Sequence, residues 1–293
     1  MPKIIIIGNS AAGFSACQAL VNSSSGHEIT VISEEEYPAY NRSLLVDYLS
    51  GSIPESGLFL ADAEFYRKNN VNFLAGQQVY RIDTRKRKVG LKDNSRLDYD
   101  HLIIASGRKI EVPDIPGKSK DGVAAFYSLK DTKEIMEKLM VAHTVSVIGN
   151  TQASLKLAEV IAAKSKEVKV VSQSALDSAA PNEKIELING LEPGEFIGEG
   201  ELQALKLTSG KVIGISLAVF TDNYMPSSSF LKDTEIQTEN GYIIVDDKMR
   251  TNMDNIFACG AVAARSGVLA GAKSWDEAAA EGILAAQNLL NNV

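Results

Sequence analysis

The chain has 293 residues, 45% hydrophobic and 23% charged, with 30 Lys and Arg against 37 Asp and Glu for a formal net charge of −7. That length supports two domains with separate cores, and an acidic chain without a basic stripe argues against nucleic acid as a partner. Cys17 and Cys259 lie far apart and form no CxxC, which excludes a disulfide framework and a local dithiol motif.

Ile4 to Ile7 are all isoleucine and are followed by Gly8, as in a fully buried parallel strand over Lys3 to Ile7. A helix is expected over Ala11 to Val21 and a second strand over Glu28 to Ile32, which together make a βαβ unit. Further strands are expected at Val79–Asp83, Lys88–Leu91 and His101–Ala105, with the basic run Arg85 to Lys88 as a solvated hairpin turn and Asp93-Asn94 as another turn. Pro113, Pro116 and Gly117 mark a domain crossing. A second βαβ unit repeats the first: strand Val145–Ile148, helix Ala153–Ala163, strand Val168–Val171. Short strands follow at Lys184–Ile188, Leu202–Leu207 and Leu217–Phe220. A second crossing lies near Pro226, and an alanine-rich amphipathic helix closes the chain over Trp275 to Leu290. The N-terminal apolar run is too short for a signal segment and no stretch is long enough to span a bilayer, so a cytoplasmic protein with no membrane partner is expected.

Gly8-Asn9-Ser10-Ala11-Ala12-Gly13 stands where a GxGxxG loop belongs, after a buried strand and before a helix. Gly8 permits the tight turn and Gly13 a close helix–sheet approach. Ser10 replaces the glycine that lets backbone meet a pyrophosphate. Ser10, Ala11 and Ala12 leave a helix N-terminus that can receive a diphosphate. Strand two ends in Ser33-Glu34-Glu35-Glu36. By register, Glu34 is the acceptor for an adenosine ribose, and Glu35 and Glu36 read as solvated loop.

The chain resembles the FAD-dependent pyridine nucleotide–disulfide oxidoreductase superfamily, in the branch of the NADH:rubredoxin reductases and the nitrite reductase flavin subunit. The residues that carry the resemblance are Tyr40-Asn41-Arg42-Ser43-Leu44-Leu45, Leu97 to Gly107, Ile115-Pro116-Gly117, Thr251 to Gly260, Trp275 and Gly282. It implies an α/β fold of two Rossmann-like, glutathione-reductase-type dinucleotide-binding domains, the second inserted into the first. An FAD-binding domain is expected over 1–110 and 237–293, and a shortened NAD(P)-type domain over 111–236. It also implies FAD contacts at Arg42 (pyrophosphate), Val79 (adenine), Ala105-Ser106-Gly107 and Gly260-Ala261. Ala261 stands where the family has an aspartate that bonds the ribityl chain.

The second loop, Gly149-Asn150-Thr151-Gln152-Ala153-Ser154, departs further. Thr151 and Ser154 replace two glycines, and the β-branch of Thr151 is expected to crowd a pyrophosphate. Ser172 stands where the acidic ribose acceptor belongs, and the stretch from Val171 to Lys184 is too short for the usual helix. Asn150 and Gln152 keep amides able to donate to a diphosphate. These losses argue against NADH or NADPH as cofactor. Asp47 and Lys156 occupy positions where the family has a lysine and a glutamate at the flavin edge, so they form a candidate pair of reversed polarity across the domain boundary. The cysteines read as core and hold no thiol-redox position of the family. His27, His101 and His143 lack metal-ligand spacing. The expectation is an FAD-dependent oxidoreductase or electron-transfer flavoprotein working with a protein partner. A conventional NAD(P)H-dependent reductase and a non-catalytic FAD-binding subunit are the alternatives.

Overall fold

The computed structural model describes residues 1–23, 26–174, 182–267 and 273–291. The chain opens with β1 (Lys3–Ile7), α1 (Ala11–Asn22) and β2 (Glu28–Ile32). It continues through α2 (Leu45–Ser50), α3 (Ala63–Lys68), β3 (Asn72–Leu74), β4 (Val79–Asp83), β5 (Lys88–Leu91), β6 (Arg96–Asp98), β7 (His101–Ile104) and β8 (Arg108–Ile110). Then come β9 (Val123–Ala125), α4 (Leu129–Val141), β10 (Thr144–Ile148), α5 (Gln152–Ala163), β11 (Glu167–Ser172) and β12 (Ile185–Asn189). A small sheet follows from β13 (Pro193–Ile197), β14 (Ala204–Leu207) and β15 (Val212–Gly214), and then β16 (Leu217–Phe220) and β17 (Tyr224–Pro226). The chain closes with β18 (Thr238–Glu239), β19 (Tyr242–Ile244), β20 (Ile256–Ala258), β21 (Ala263–Ala264) and α6 (Trp275–Leu290).

Two compact units result. The first comprises Met1–Asn41, Phe59–Arg108 and Pro226–Val293, and the second Arg42–Leu58 and Lys109–Met225. In sequence the second therefore interrupts the first, with boundaries that differ from those expected at two places. Residues 42–58 go with the second unit because Leu49 is buried in its core and Glu55 pairs with Lys133 at 2.8 Å. Residues 226–236 go with the first because Phe230, Leu231 and Ile236 join its core.

The first unit centres on a parallel sheet of order β20-β7-β1-β2-β3. β1 lies inside it, so both its faces are covered and isoleucine fills every position from Ile4 to Ile7. α1 packs on α6 through small residues: a Cβ on Gly282 would stand 2.0 Å from the carbonyl oxygen of Ala12. The second unit repeats the plan with order β12-β11-β10-β16-β9, again parallel. Here β11 and β12 are parallel neighbours joined only by residues 173–184, close to the minimum for a crossover. Residues 175–181 of this shortened connection lie outside the described residues. The amphipathic α4, with Ile135 and Leu139 buried, was not expected from the sequence.

Candidate functional site

In the first unit β1 hands over to α1 through Gly8, whose φ is +104°. A Cβ on Gly8 would lie 2.1 Å from the carbonyl oxygen of Ala105, and one on Gly13 would lie 2.0 Å from the carbonyl oxygen of Gly8. Both glycines are thus fixed by close backbone approach. Ser10 is the N-cap residue in extended conformation. Its hydroxyl makes no capping hydrogen bond, and no acidic side chain occupies the first turn. The first-turn N–H groups of α1, on Ala11, Ala12 and Gly13, therefore face no capping side chain, and the positive end of the helix dipole is open. This arrangement fits a diphosphate.

The loop is held from below by a residue that the sequence reading missed. Tyr66 of α3 is buried and stacks on Phe73 with ring centroids 4.2 Å apart. Its hydroxyl accepts from Asn9 Nδ2 at 2.8 Å and from the Ala39 amide at 3.3 Å. Burial, the dominant cause, pushes this phenol up to about 12, so it stays protonated. Only the three-dimensional fold brings Asn9 and Tyr66 together; no local pattern announces the pair.

Glu34 is exposed just beyond the end of β2. Glu36 is exposed as expected, but Glu35 is half-buried and its Oε2 accepts from the Tyr40 hydroxyl at 2.6 Å, so it is not solvated loop. Val79 is buried at the start of β4, opposite Leu91. Ala105 donates its amide to Ile7 O at 2.8 Å, Ser106 Oγ donates to Ser227 O at 2.7 Å, and Gly107, with φ +71°, accepts from the Ser227 amide at 2.9 Å.

Gly260, with φ +73°, begins the 3-10 turn Gly260–Val262 that includes Ala261; a Cβ on it would stand 2.8 Å from Ala12 Cβ. Its amide donates to Glu281 Oε2 at 2.8 Å. Lys273 Nζ donates to the same Glu281 oxygen at 2.7 Å, to Gly260 O at 3.0 Å and to Ala263 O at 2.9 Å. This largely buried ion pair locks the turn against α6, and the sequence reading missed both members. The structure thus groups Gly8–Gly13, Glu34, Val79, Ala105–Gly107 and Gly260-Ala261 in the first unit.

Arg42 groups with the second unit, where its guanidinium lies 4.6 Å from the centre of the Tyr127 ring. Asp47 and Lys156 also both belong to the second unit. They are in contact, with Lys156 Nζ 3.3 Å from Asp47 Oδ1. The pair was expected to bridge two domains; instead it joins α2 to α5 within one. With side chains 34% and 56% exposed it is worth only about 0–1 kcal/mol.

The second glycine-poor loop is closed on itself. Thr151 is the N-cap of α5, and its Oγ1 accepts from the Ser154 amide at 3.2 Å. Ser154 Oγ accepts from the Thr151 amide at 3.2 Å and lies 2.8 Å from Thr221 Oγ1, which donates to Ile148 O at 3.1 Å. Asp222 Oδ2 accepts from the Asn150 amide at 2.8 Å. The obstruction expected from the β-branch of Thr151 is therefore a completed capping box, and a carboxylate that the sequence reading missed occupies a loop N–H. Ser172 is buried and donates to Ser174 O at 2.6 Å.

Cys17 and Cys259 are free and fully buried, and burial pushes both thiols up to about 12. Among the described residues there is no cluster of metal-binding side chains and no helix long and apolar enough to cross a membrane.

Residues 2–282 match the model of the family described as pyridine nucleotide-disulphide oxidoreductase. The chain is 27% identical over 285 residues to nitrite reductase [NAD(P)H] of Bacillus subtilis, covering 92% of this chain but 35% of that protein. It is 28% identical over 279 residues to the NADH-rubredoxin oxidoreductase of Clostridium acetobutylicum, covering 89% of this chain and 68% of that one. A ferredoxin reductase from Rhodopseudomonas palustris superposes with a TM-score of 0.89 at 23% identity, over 99% of this chain and 76% of that chain, a likeness of fold. With the match running through both parallel sheets and both glycine-type loops, the chain belongs to the pyridine nucleotide-disulphide oxidoreductase family.

Proposed function

We propose that this chain is a flavin oxidoreductase that binds FAD non-covalently in its first unit and exchanges electrons with a protein partner without thiol chemistry, NADH and NADPH being poor reductants. The observation that carries this is the contrast between two helix N-termini at equivalent places in the two units. α1 is uncapped and acid-free, whereas α5 is closed by Thr151 and Ser154 and faced by Asp222. A diphosphate at α1 meets free N–H donors. A diphosphate at α5 finds the Ser154 amide already taken by Thr151 Oγ1 and the Asn150 amide by Asp222, and displacing either costs on the order of 1–3 kcal/mol.

When bound, FAD supplies the redox chemistry, and the protein supplies binding and electrostatics. In this reading Gly8 and Gly13 keep the loop open, the first-turn amides of α1 take the diphosphate, and Glu34 accepts from the adenosine ribose. Val79 borders the adenine, and Ala105–Gly107 with Gly260-Ala261 wall the remainder. The family resemblance implies Arg42 as the cation matched to the diphosphate. The same resemblance implies Asp47 and Lys156 as a flavin-edge pair of reversed polarity. The buried thiols, held protonated, fit a site without redox-active cysteines. A protein electron carrier as partner is in keeping with relatives named for rubredoxin and ferredoxin.

A conventional NAD(P)H-dependent reductase is the second reading, favoured by the NADH and NAD(P)H in the relatives' names. Anaerobic absorbance spectroscopy separates the two. The purified or reconstituted protein should show the flavin bands, and they should persist on mixing with micromolar NADH. A colourless protein that cannot take up FAD refutes the first half of the proposal, and rapid bleaching by NADH refutes the second.

A further inference from the structure

The antiparallel sheet β4-β5-β6 of the first unit carries a feature that the dinucleotide reading does not use. Its solvent face is organised in cross-strand rows. Arg81 pairs with Gly90, which pairs with Arg96; the next row is Asp83, Lys88, Asp98. The register of β4 shifts between Val79 and Arg81, so Tyr80 is the extra residue of a bulge. The bulge brings two side chains over one position: a Cβ on Gly90 would stand 3.1 Å from Arg81 Cγ and 3.1 Å from Tyr80 Cε1. Gly90 is thus buried beneath Tyr80 and Arg81, with Arg96 as its register neighbour on β6. An open cleft of about 460 Å³ lies there, lined by Arg81, Asp83, Lys86, Lys88, Gly90 and Arg96.

The charges are sorted. Nearby acids are already engaged: Asp98 with Lys88 at 2.7 Å, Glu235 with Arg85 at 2.8 Å, and Asp83 with the Lys86 backbone amide at 2.9 Å. Arg81, Lys86 and Arg96 make no ion pair among the described residues. Arg81 lies over the Tyr80 ring, 5.4 Å from its centre, and three cations without an ion pair, against the one unpaired cleft carboxylate of Asp83, concentrate positive potential in a chain of net charge −7. Two interstrand spacings of about 4.8 Å put the Arg81 and Arg96 backbones roughly 10 Å apart. Side chains of that length are able to reach a compact anion between them, and guanidinium forks match phosphate oxygens.

We propose that this cleft binds the diphosphate group of a small molecule, at a site separate from the Gly8–Gly13 loop. The test is calorimetric titration of the FAD-loaded protein with inorganic pyrophosphate and with ADP at low ionic strength. Arg81→Ala, Arg96→Ala and Gly90→Ala are compared with Lys92→Ala, an exposed turn residue outside the cleft. Binding that weakens at least tenfold in each cleft variant and less than twofold in Lys92→Ala supports the site. ADP binding more tightly than pyrophosphate points to a nucleotide, and equal affinity to a bare diphosphate. Four results overturn it: no heat up to about 10 mM ligand, affinity unchanged by both arginine substitutions, loss of flavin bands in those variants, or arginine-dependent binding of polyglutamate but not pyrophosphate. A protein that fails to take FAD is still tested, because binding at the α1 loop would not depend on Arg81 and Arg96.

Discussion

Gly13→Ala is predicted to destabilise the first unit and abolish FAD retention, although alanine is the better helix former. Two effects oppose each other. Inside α1 the substitution gains up to about 1 kcal/mol of helix propensity. Against it, the new Cβ would stand 2.0 Å from the Gly8 carbonyl oxygen, where real Cβ contacts essentially never fall below 3.0 Å, so α1 must retreat by about 1 Å. The Ala105 Cβ at 3.4 Å leaves no sideways escape, and Gly282 locks the other side of α1 against α6. Overpacking of this kind costs about 1–3 kcal/mol, and lifting α1 also loosens its contacts with Ile4 to Ile7. The net expectation is a loss of about 1–2 kcal/mol, with the diphosphate-facing turn displaced. Urea unfolding followed by circular dichroism reads the stability, and the ratio of flavin to protein absorbance after gel filtration reads retention. Gly13→Ala protein as stable as the wild type and fully yellow would refute the reasoning, because the close approach would then impose nothing.

Other substitutions probe different parts of the two units. Glu281→Gln removes the carboxylate shared by Lys273 and the Gly260 amide; it should cost about 1–3 kcal/mol and raise the FAD dissociation rate, and a dissociation rate equal to wild type would show the Gly260 turn to be held otherwise. Thr151→Ala opens the capping box of α5 and should lower stability by about 1 kcal/mol, read as a lower unfolding midpoint in urea, without creating tight NADH binding while Asp222 remains; a bound NADH detected by fluorescence would contradict the closed-loop account. Burial, the larger cause, holds His101 below its ordinary 6.5 while Asp100 works against it. The unfolded chain therefore takes up more protons, and the contribution is complete above pH 6.5 and lost as pH falls through the folded value. His101→Gln should flatten the decline in melting temperature below pH 6.5, and an unchanged slope would exclude this histidine as its source.

The sequence by itself determined the two parallel-sheet units, because β-branched runs ending in glycine and followed by small-residue helices state their burial locally. The β1–Gly8–α1 handover, the repeat at β10–Gly149–α5 and the closing helix from Trp275 were all legible. The departures at Thr151, Ser154 and Ala261 were visible as letters. What each letter does was not, since a hydroxyl in a glycine position can obstruct, cap or point away, and only its neighbours choose. Tertiary structure decided that Thr151 and Ser154 cap each other and that Asp222, some 70 residues later, takes the Asn150 amide. It decided that Glu35 serves Tyr40, that Tyr66 holds Asn9, and that Lys273 and Glu281 secure Gly260. It also moved residues 42–58 into the second unit, where Asp47 meets Lys156. The physical reason is common to all of these. Backbone pattern is set by near neighbours and by burial, which periodicity records, whereas a polar side chain finds its partner through long-range contacts that leave no period in the sequence.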